Sequence, residues 1–110
     1  MTTKQRHADE GDVLRALADP TRRAVFEQLA RGEATVKALT EHAGVSQPAV
    51  SQHLAVLERS GLVATRRAGR FIYYRADPGG LRPLVRWIEH YQAFWLDRLS
   101  KLKALLEEIE

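Results

Sequence analysis

The chain is 110 residues long, 45% hydrophobic and 28% charged, with a formal net charge of +3 and no cysteine. That length makes one domain with a real but modest core. The missing thiols exclude disulfides, thiolate metal sites and a cysteine nucleophile, and no apolar run approaches the roughly 18 residues that would span a bilayer. The N-terminus MTTKQRHADEGD is polar and has no apolar signal core, so a cytoplasmic protein is expected, with a disordered arm over residues 1–8.

In chain order, the spacing of Val13, Leu14 and Leu17 predicts a short helix over Asp12 to Leu17. Asp19-Pro20 restarts the chain, since Asp caps and Pro tolerates the first helical position. The helix that follows runs to about Ala30, burying Ala24, Val25 and Leu29, and Arg31-Gly32 closes it. Thr35 caps a third helix, Val36 to Ala43, with Val36 and Leu39 inward. Gly44-Val45 turns tightly into a fourth helix, capped by Ser46, with Pro48 in its first turn and Gly61 as its stop. Two short helices joined by such a turn form a helix-turn-helix.

The fourth helix carries the most information. With Val50 at the centre of its buried face, Leu54 and Leu57 fall within about 40° of it at 100° per residue. Pro48, Ser51, Gln52 and Ala55 fall opposite, with Gln47 beside them at the helix start. A merely solvated face usually carries Glu and Lys. A small, uncharged face with Gln and Ser suits a helix that lies flush in a groove, because Gln bonds the edge of adenine in two places and Ser bonds several bases. His53 projects beside the core face, which favours a packed side chain and leaves a phosphate contact open.

Leu62 to Ala68 and Phe71 to Ala76 alternate as two strands of a hairpin, with Gly69 in the connection where positive φ is needed. Arg66, Arg67 and Arg70 crowd its tip. After a helix-turn-helix, such a hairpin is expected to be a wing whose arginines meet phosphates or a narrow minor groove. Arg22 and Arg23, at the start of the second helix, are candidate phosphate contacts and equally candidate solvated side chains.

From Asp77-Pro78 the last helix is expected to run near Glu110, with fraying in its acidic last turn. Leu81, Ile88, Trp95, Leu102 and Ile109 recur every seven residues, and Leu84, Val85, Tyr91, Leu99, Leu105 and Leu106 widen the stripe. That is more apolar surface than one side of a small domain covers. A homodimer resolves it, with the first and last helices packed on their symmetry mates. Its expected interface is Val13, Leu14, Leu17, Leu81, Leu84, Ile88, Tyr91, Trp95, Leu99 and Leu102.

Three stretches together, ALADPTRRAVFEQLARGE, SQPAVSQHLAVLERSGLV and RRAGRFIYYRADP, carry a resemblance. Over about Val13 to Asp77 the chain resembles the ArsR/SmtB family of bacterial winged-helix repressors. The segment WIEHYQAFWLDRL is similar to the members without an obvious metal site. The resemblance implies dimerisation through the first and last helices, and repression by occluding a promoter, often the protein's own. It also implies release by a small effector near the dimer interface, or simply by a change in protein concentration. Trp87, Tyr91, Phe94 and Trp95 could line an effector pocket there, although dimer core is the plainer reading. One group of the family senses soft metals through a Cys-x-Cys pair, where this chain has Thr35 and Lys37. Another senses zinc or cobalt through Asp-x-His and a later His pair on the last helix, where His90 stands alone with Asp97 and Glu89 near it in sequence. Neither known metal site is present.

His7, His42, His53 and His90 are scattered, and zinc wants three or four ligands. No phosphate loop, dinucleotide fingerprint or nucleophile elbow occurs, so no catalytic residues and no cofactors are expected. The expected fold is mainly α with a small β-hairpin, a winged helix-turn-helix of order α-α-α-α-β-β-α. Residues 9–110 form its single domain, with 9–18 and 78–110 as dimerisation helices. The expected function is a homodimeric transcriptional regulator of double-stranded DNA, a metal-independent repressor of a pseudo-palindromic operator. Its expected DNA-binding residues are Ser46, Gln47, Pro48, Ser51, Gln52, His53, Arg66, Arg67, Arg70, Arg22 and Arg23. Two alternatives stay open: a metal-responsive repressor with an atypical site, and a winged-helix adaptor that binds protein.

Overall fold

The computed structural model describes residues 8–109. The arm expected over residues 1–8 therefore lies outside the described residues except for Ala8, as do His7 and the final Glu110. Helix α1 spans Glu10–Ala18, α2 Pro20–Arg31, α3 Val36–Ala43 and α4 Gln47–Arg59. Strands β1 (Val63–Ala68) and β2 (Phe71–Ala76) follow, then a 3-10 turn at Pro78–Leu81 and helix α5, Arg82–Ile109. The order is the expected one, mainly helical with one antiparallel hairpin.

Helix α1 begins two residues earlier than its apolar spacing suggests. Asp9 and Asp12 form a reciprocal capping box: the Asp12 amide donates to Asp9 at 2.9 Å, and the Asp9 amide donates to Asp12 at 3.0 Å. Two orphan donors of the first turn are satisfied at once. Asp19 caps α2 by accepting from the Arg22 amide at 2.9 Å, with Pro20 next in line.

The core gathers Val13 and Ala16 of α1, Val25 and Leu29 of α2, Leu39 of α3, Val50, Leu54 and Leu57 of α4, and Leu62 and Val63 at the head of the hairpin. Two expectations fail here. Ala24 is exposed, because α2 turns Val25 and Leu29 inward and Ala24 lies off that stripe. Val13 is fully buried within its own protomer, so it has no surface left to give a partner and is core, not dimer interface.

The last helix does not start directly at Asp77-Pro78. Asp77 caps a 3-10 turn, accepting from the Gly79 amide at 3.1 Å, and α-helical geometry begins at Arg82. Packing sets this geometry. A Cβ on Gly80 would run into the carbonyl of Gly61, which itself holds a positive φ of 78° at the end of α4. Only two glycines back to back let the chain leave the hairpin so close to α4.

Beyond that turn, α5 packs on α1 through its beginning and buries no residue at all. Ile88, Trp95, Leu99 and Leu102 are each at least half exposed. The radius of gyration is 19.2 Å, against about 13 Å for a compact chain of this length. The excess is α5, roughly 42 Å long at 1.5 Å per residue, standing away from the globule.

Candidate nucleic-acid interface

The helix-turn-helix is built from caps. Thr35 accepts from the Ala38 amide at 3.2 Å and starts α3. Gly44 ends it in the left-handed region at φ 73°, a conformation that costs a residue with a Cβ. Ser46 then accepts from the Ala49 amide at 3.3 Å and starts α4, with Pro48 in the first turn. Val50, Leu54 and Leu57 are pinned in the core, so the opposite side of α4 must face out. Ser46, Gln47, Pro48, Ser51 and Gln52 are all exposed there, and Ala55 is half-buried. The first charged side chains of this helix, Glu58 and Arg59, come at its end.

His53 is half-buried, beside the core face as its position on the wheel requires. Its Nδ1 lies 3.4 Å from Nη1 of Arg22. Arg22 also donates from Nε to the Ala16 carbonyl at 2.6 Å and from Nη2 to the Arg15 carbonyl at 3.1 Å. Arg23 donates to the Leu17 carbonyl at 2.7 Å. Both arginines therefore serve the open C-terminal carbonyls of α1. The guanidinium of Arg22 is engaged on all three nitrogens, a use that sequence charge alone does not reveal.

The hairpin pairs Val63 with Ala76 and Ala68 with Phe71, leaving Gly69 and Arg70 as a two-residue connection. Gly69 has φ 63° and no described non-glycine residue has a positive φ, the pattern of a II′ turn, which follows the natural twist of a hairpin. Along β1, side chains alternate faces. Val63 is buried, and Tyr74 and Ala76 pack on the core from the same face.

Arg66 and Arg67 consequently point to opposite sides, and their environments differ. Arg66 forms a two-pronged ion pair with Glu33: Nε donates to Oε2 at 2.9 Å and Nη2 donates to Oε1. Its guanidinium also lies 4.8 Å from the ring centre of Tyr73, its cross-strand neighbour. The Arg66 side-chain bonds hold the Glu33 carboxyl below its ordinary value of 4.5, and the charge of Arg75 adds to this. Arg67 and Arg70 are exposed and have no partner among the described residues.

Sequence reasoning missed Glu33, which has no local motif and meets Arg66 across 33 residues. It also missed an isolated β-bridge beside the hairpin. Ala34 exchanges two backbone bonds with Tyr74, at 2.9 and 2.8 Å, and so ties the α2–α3 connection to the wing. One bridging residue is too short to show a period of two.

Among the described residues, no three His, Asp or Glu side chains gather where they could hold a metal ion. His90 stands edge-on to Tyr91 at 4.8 Å, and Asp97 is paired with Lys101 at 3.1 Å. On α5, Trp87, Ile88, Tyr91, Gln92 and Trp95 line an open apolar groove of about 670 Å³.

A helix-turn-helix domain family matches residues 17–66. The HTH-type transcriptional regulator Rv2034 of Mycobacterium tuberculosis is 44% identical over 92 residues, 84% of this chain and 83% of that protein. The chain belongs to the ArsR/SmtB family of winged helix-turn-helix transcriptional repressors. The transcriptional repressor SdpR of Bacillus subtilis is 32% identical over 80 residues, covering 73% of this chain and 89% of SdpR. The homodimeric winged helix-turn-helix DNA-binding domain of a Mycobacterium bovis protein, solved in solution, superposes with a TM-score of 0.60 at 32% identity. That match covers 74% of this chain and 79% of the other. As an ArsR/SmtB protein the chain is a DNA-binding transcriptional regulator and not an enzyme, and none of its described helices is long and apolar enough to cross a membrane.

Proposed function

We propose that this chain is a homodimeric repressor that binds a pseudo-palindromic double-stranded operator, its own promoter included, without needing a metal. The observation that carries the reading is the outer face of α4. Gln47, Ser51 and Gln52 stand exposed without partners among the described residues, on a helix whose other side is locked by Val50, Leu54 and Leu57. Rigid support with free donors and acceptors is what base reading in the major groove requires. Ser46 caps the helix and touches a phosphate in this reading, with Pro48 beside it, while Arg67 and Arg70 carry the contact of the wing.

The dimer rests on α5. A standard interface takes about 800 Å² from each partner, and exposed apolar side chains recur along α5 from Val85 to Leu106. Metal independence is supported by the donors: His90 is the one histidine of α5, and no three donors gather among the described residues. Two-fold symmetry sets half-sites about 10 bp apart or a multiple of that.

The test is a titration against the DNA upstream of the gene and a scrambled duplex, at two salt concentrations, with zinc, cobalt or nickel and then with EDTA. Tight, sequence-dependent binding that metals leave unchanged is expected. With roughly eight phosphates neutralised per dimer, the log–log salt slope should be near −7. Gln52→Ala should cost about 1–3 kcal/mol at one operator position and little on other sequences. Equal weak binding to both duplexes refutes the reading in favour of a protein-binding adaptor, and a metal that shifts affinity refutes metal independence.

A further inference from the structure

Three helices meet at one side chain. Arg22, in the first turn of α2, donates to the carbonyls of Arg15 and Ala16 at the end of α1 and reaches Nδ1 of His53 in the middle of α4. Its backbone amide donates to Asp19, and that bond is the main reason the Asp19 carboxyl sits below its ordinary value of 3.8, with the Arg22 charge adding to it. Around this point α1 and α4 do not pack tightly. Asp12, Arg15, Ala16 and Arg22 face Val56, Arg59 and Ser60 across an open cleft of about 380 Å³. The guanidinium is thus a polar strut across a gap. Arginine has no acceptor, so a hydrogen bond at this 3.4 Å contact requires His53 to accept at Nδ1 and to carry its proton on Nε2.

We propose that Arg22 is a positioning residue for DNA recognition: through His53 it fixes the orientation of α4, and of Gln52 next to it, relative to α1. This inference rests on the homodimeric DNA-binding reading above, taken together with the expected packing of the first helix, α1, at the dimer contact. In that dimer, the angle between α1 and α4 sets where the recognition helices of the two protomers stand on the operator. Neither Arg22 nor His53 then touches a phosphate.

The test uses the full chain and two probes, the upstream duplex and the scrambled duplex of equal length. Asparagine places an oxygen near the position of Nδ1, whereas glutamine reaches the position of Nε2. His53→Asn should therefore keep upstream-duplex affinity within about twofold to threefold, while His53→Gln, His53→Phe and Arg22→Lys each lose on the order of tenfold. The double variant Arg22→Lys with His53→Phe should be no weaker than either single one. Binding to the scrambled duplex and the salt slope should not change, since no phosphate contact is lost.

A salt slope flattened by about two per dimer in the charge-removing variant Arg22→Gln, with parallel loss on scrambled DNA, would overturn the proposal in favour of direct phosphate contact. Equal affinities for His53→Asn and His53→Phe would overturn it as well, and the histidine series decides the matter should Arg22→Lys fold poorly. Nitrogen NMR of the His53 ring supplies a readout that needs no DNA: protonated Nε2 and bare Nδ1 in the parent support the strut, and protonated Nδ1 refutes it. A parent protein that binds both duplexes alike refutes the DNA-binding reading instead, a result distinct from any of these.

Discussion

Replacing Arg66 and Arg67 with alanine, one at a time, separates two side chains that neighbour each other in sequence and differ in structure. Each arginine that neutralises a phosphate contributes about −0.9 to the log–log slope of affinity against salt, so one contact per protomer is worth about −1.8 in a dimer. Arg67 is exposed and unpaired among the described residues. Its removal should flatten the slope by that amount, and a threefold rise in salt should cost the variant about sevenfold less affinity than it costs the parent. Arg66 already shares its charge with Glu33 through two hydrogen bonds. An arginine whose charge is already balanced by a carboxylate neutralises no phosphate and releases no condensed counterion from the DNA, so Arg66→Ala should leave the slope nearly unchanged. Glu33→Gln removes the competing carboxylate and should steepen the slope by up to about 1.8. Fluorescence anisotropy of a labelled operator duplex over several salt concentrations measures all three. Equal flattening by Arg66→Ala and Arg67→Ala would refute the reasoning, because it would mean that DNA displaces Glu33 in the complex.

The stability of the same pair has a pH signature. Glu33 is held below its ordinary 4.5, so its contribution is fully present above that pH and is lost as the pH falls through the lower folded value. The gap in Tm between the parent and Glu33→Gln should be constant from about pH 5 to 8 and close below 4.5; a gap that varies across the upper range would point to a different partner. Gly80→Ala should destabilise by about 1–3 kcal/mol in urea unfolding through its clash with the Gly61 backbone. Gly32→Ala is the control, since a Cβ there meets nothing within 4 Å, and it should be nearly neutral. Ile88→Glu puts a carboxylate on the exposed apolar stripe of α5. An unpaired charge buried in an interface costs about 3–5 kcal/mol, so sedimentation should find monomer where the parent is dimer, and unchanged association would move the interface elsewhere.

How much of this was legible in the sequence depends on how far each signal travels along the chain. Helix α4 was legible in full because its cap, its buried stripe and its uncharged outer face all lie within one stretch from Ser46 to Gly61. The hairpin was legible because alternation and Gly69 are local too. Helix α1 started early because two aspartates capped each other, where the apolar spacing drew attention further on. On so short a helix, Val13 with Ala16 and Leu14 with Leu17 define competing inward faces; the structure buries the first pair and leaves Leu14 nearly half exposed.

Arginines were the least legible residues. Arg22, Arg66 and Arg67 carry the same charge and the same flanking polarity, and nothing local says which will meet a carbonyl, a carboxylate or water. The deciding partners, His53 for Arg22 and Glu33 for Arg66, sit 31 and 33 residues away. Counting basic residues at a hairpin tip therefore overstates the charge a wing can offer, and the Glu33–Arg66 pair makes Arg67 and Arg70 its free cations among the described residues. The surplus of α5 was legible for the opposite reason. An apolar stripe is written into a helix by its own spacing, whatever covers it, so a stripe that the rest of the chain is too small to cover already implies a second molecule.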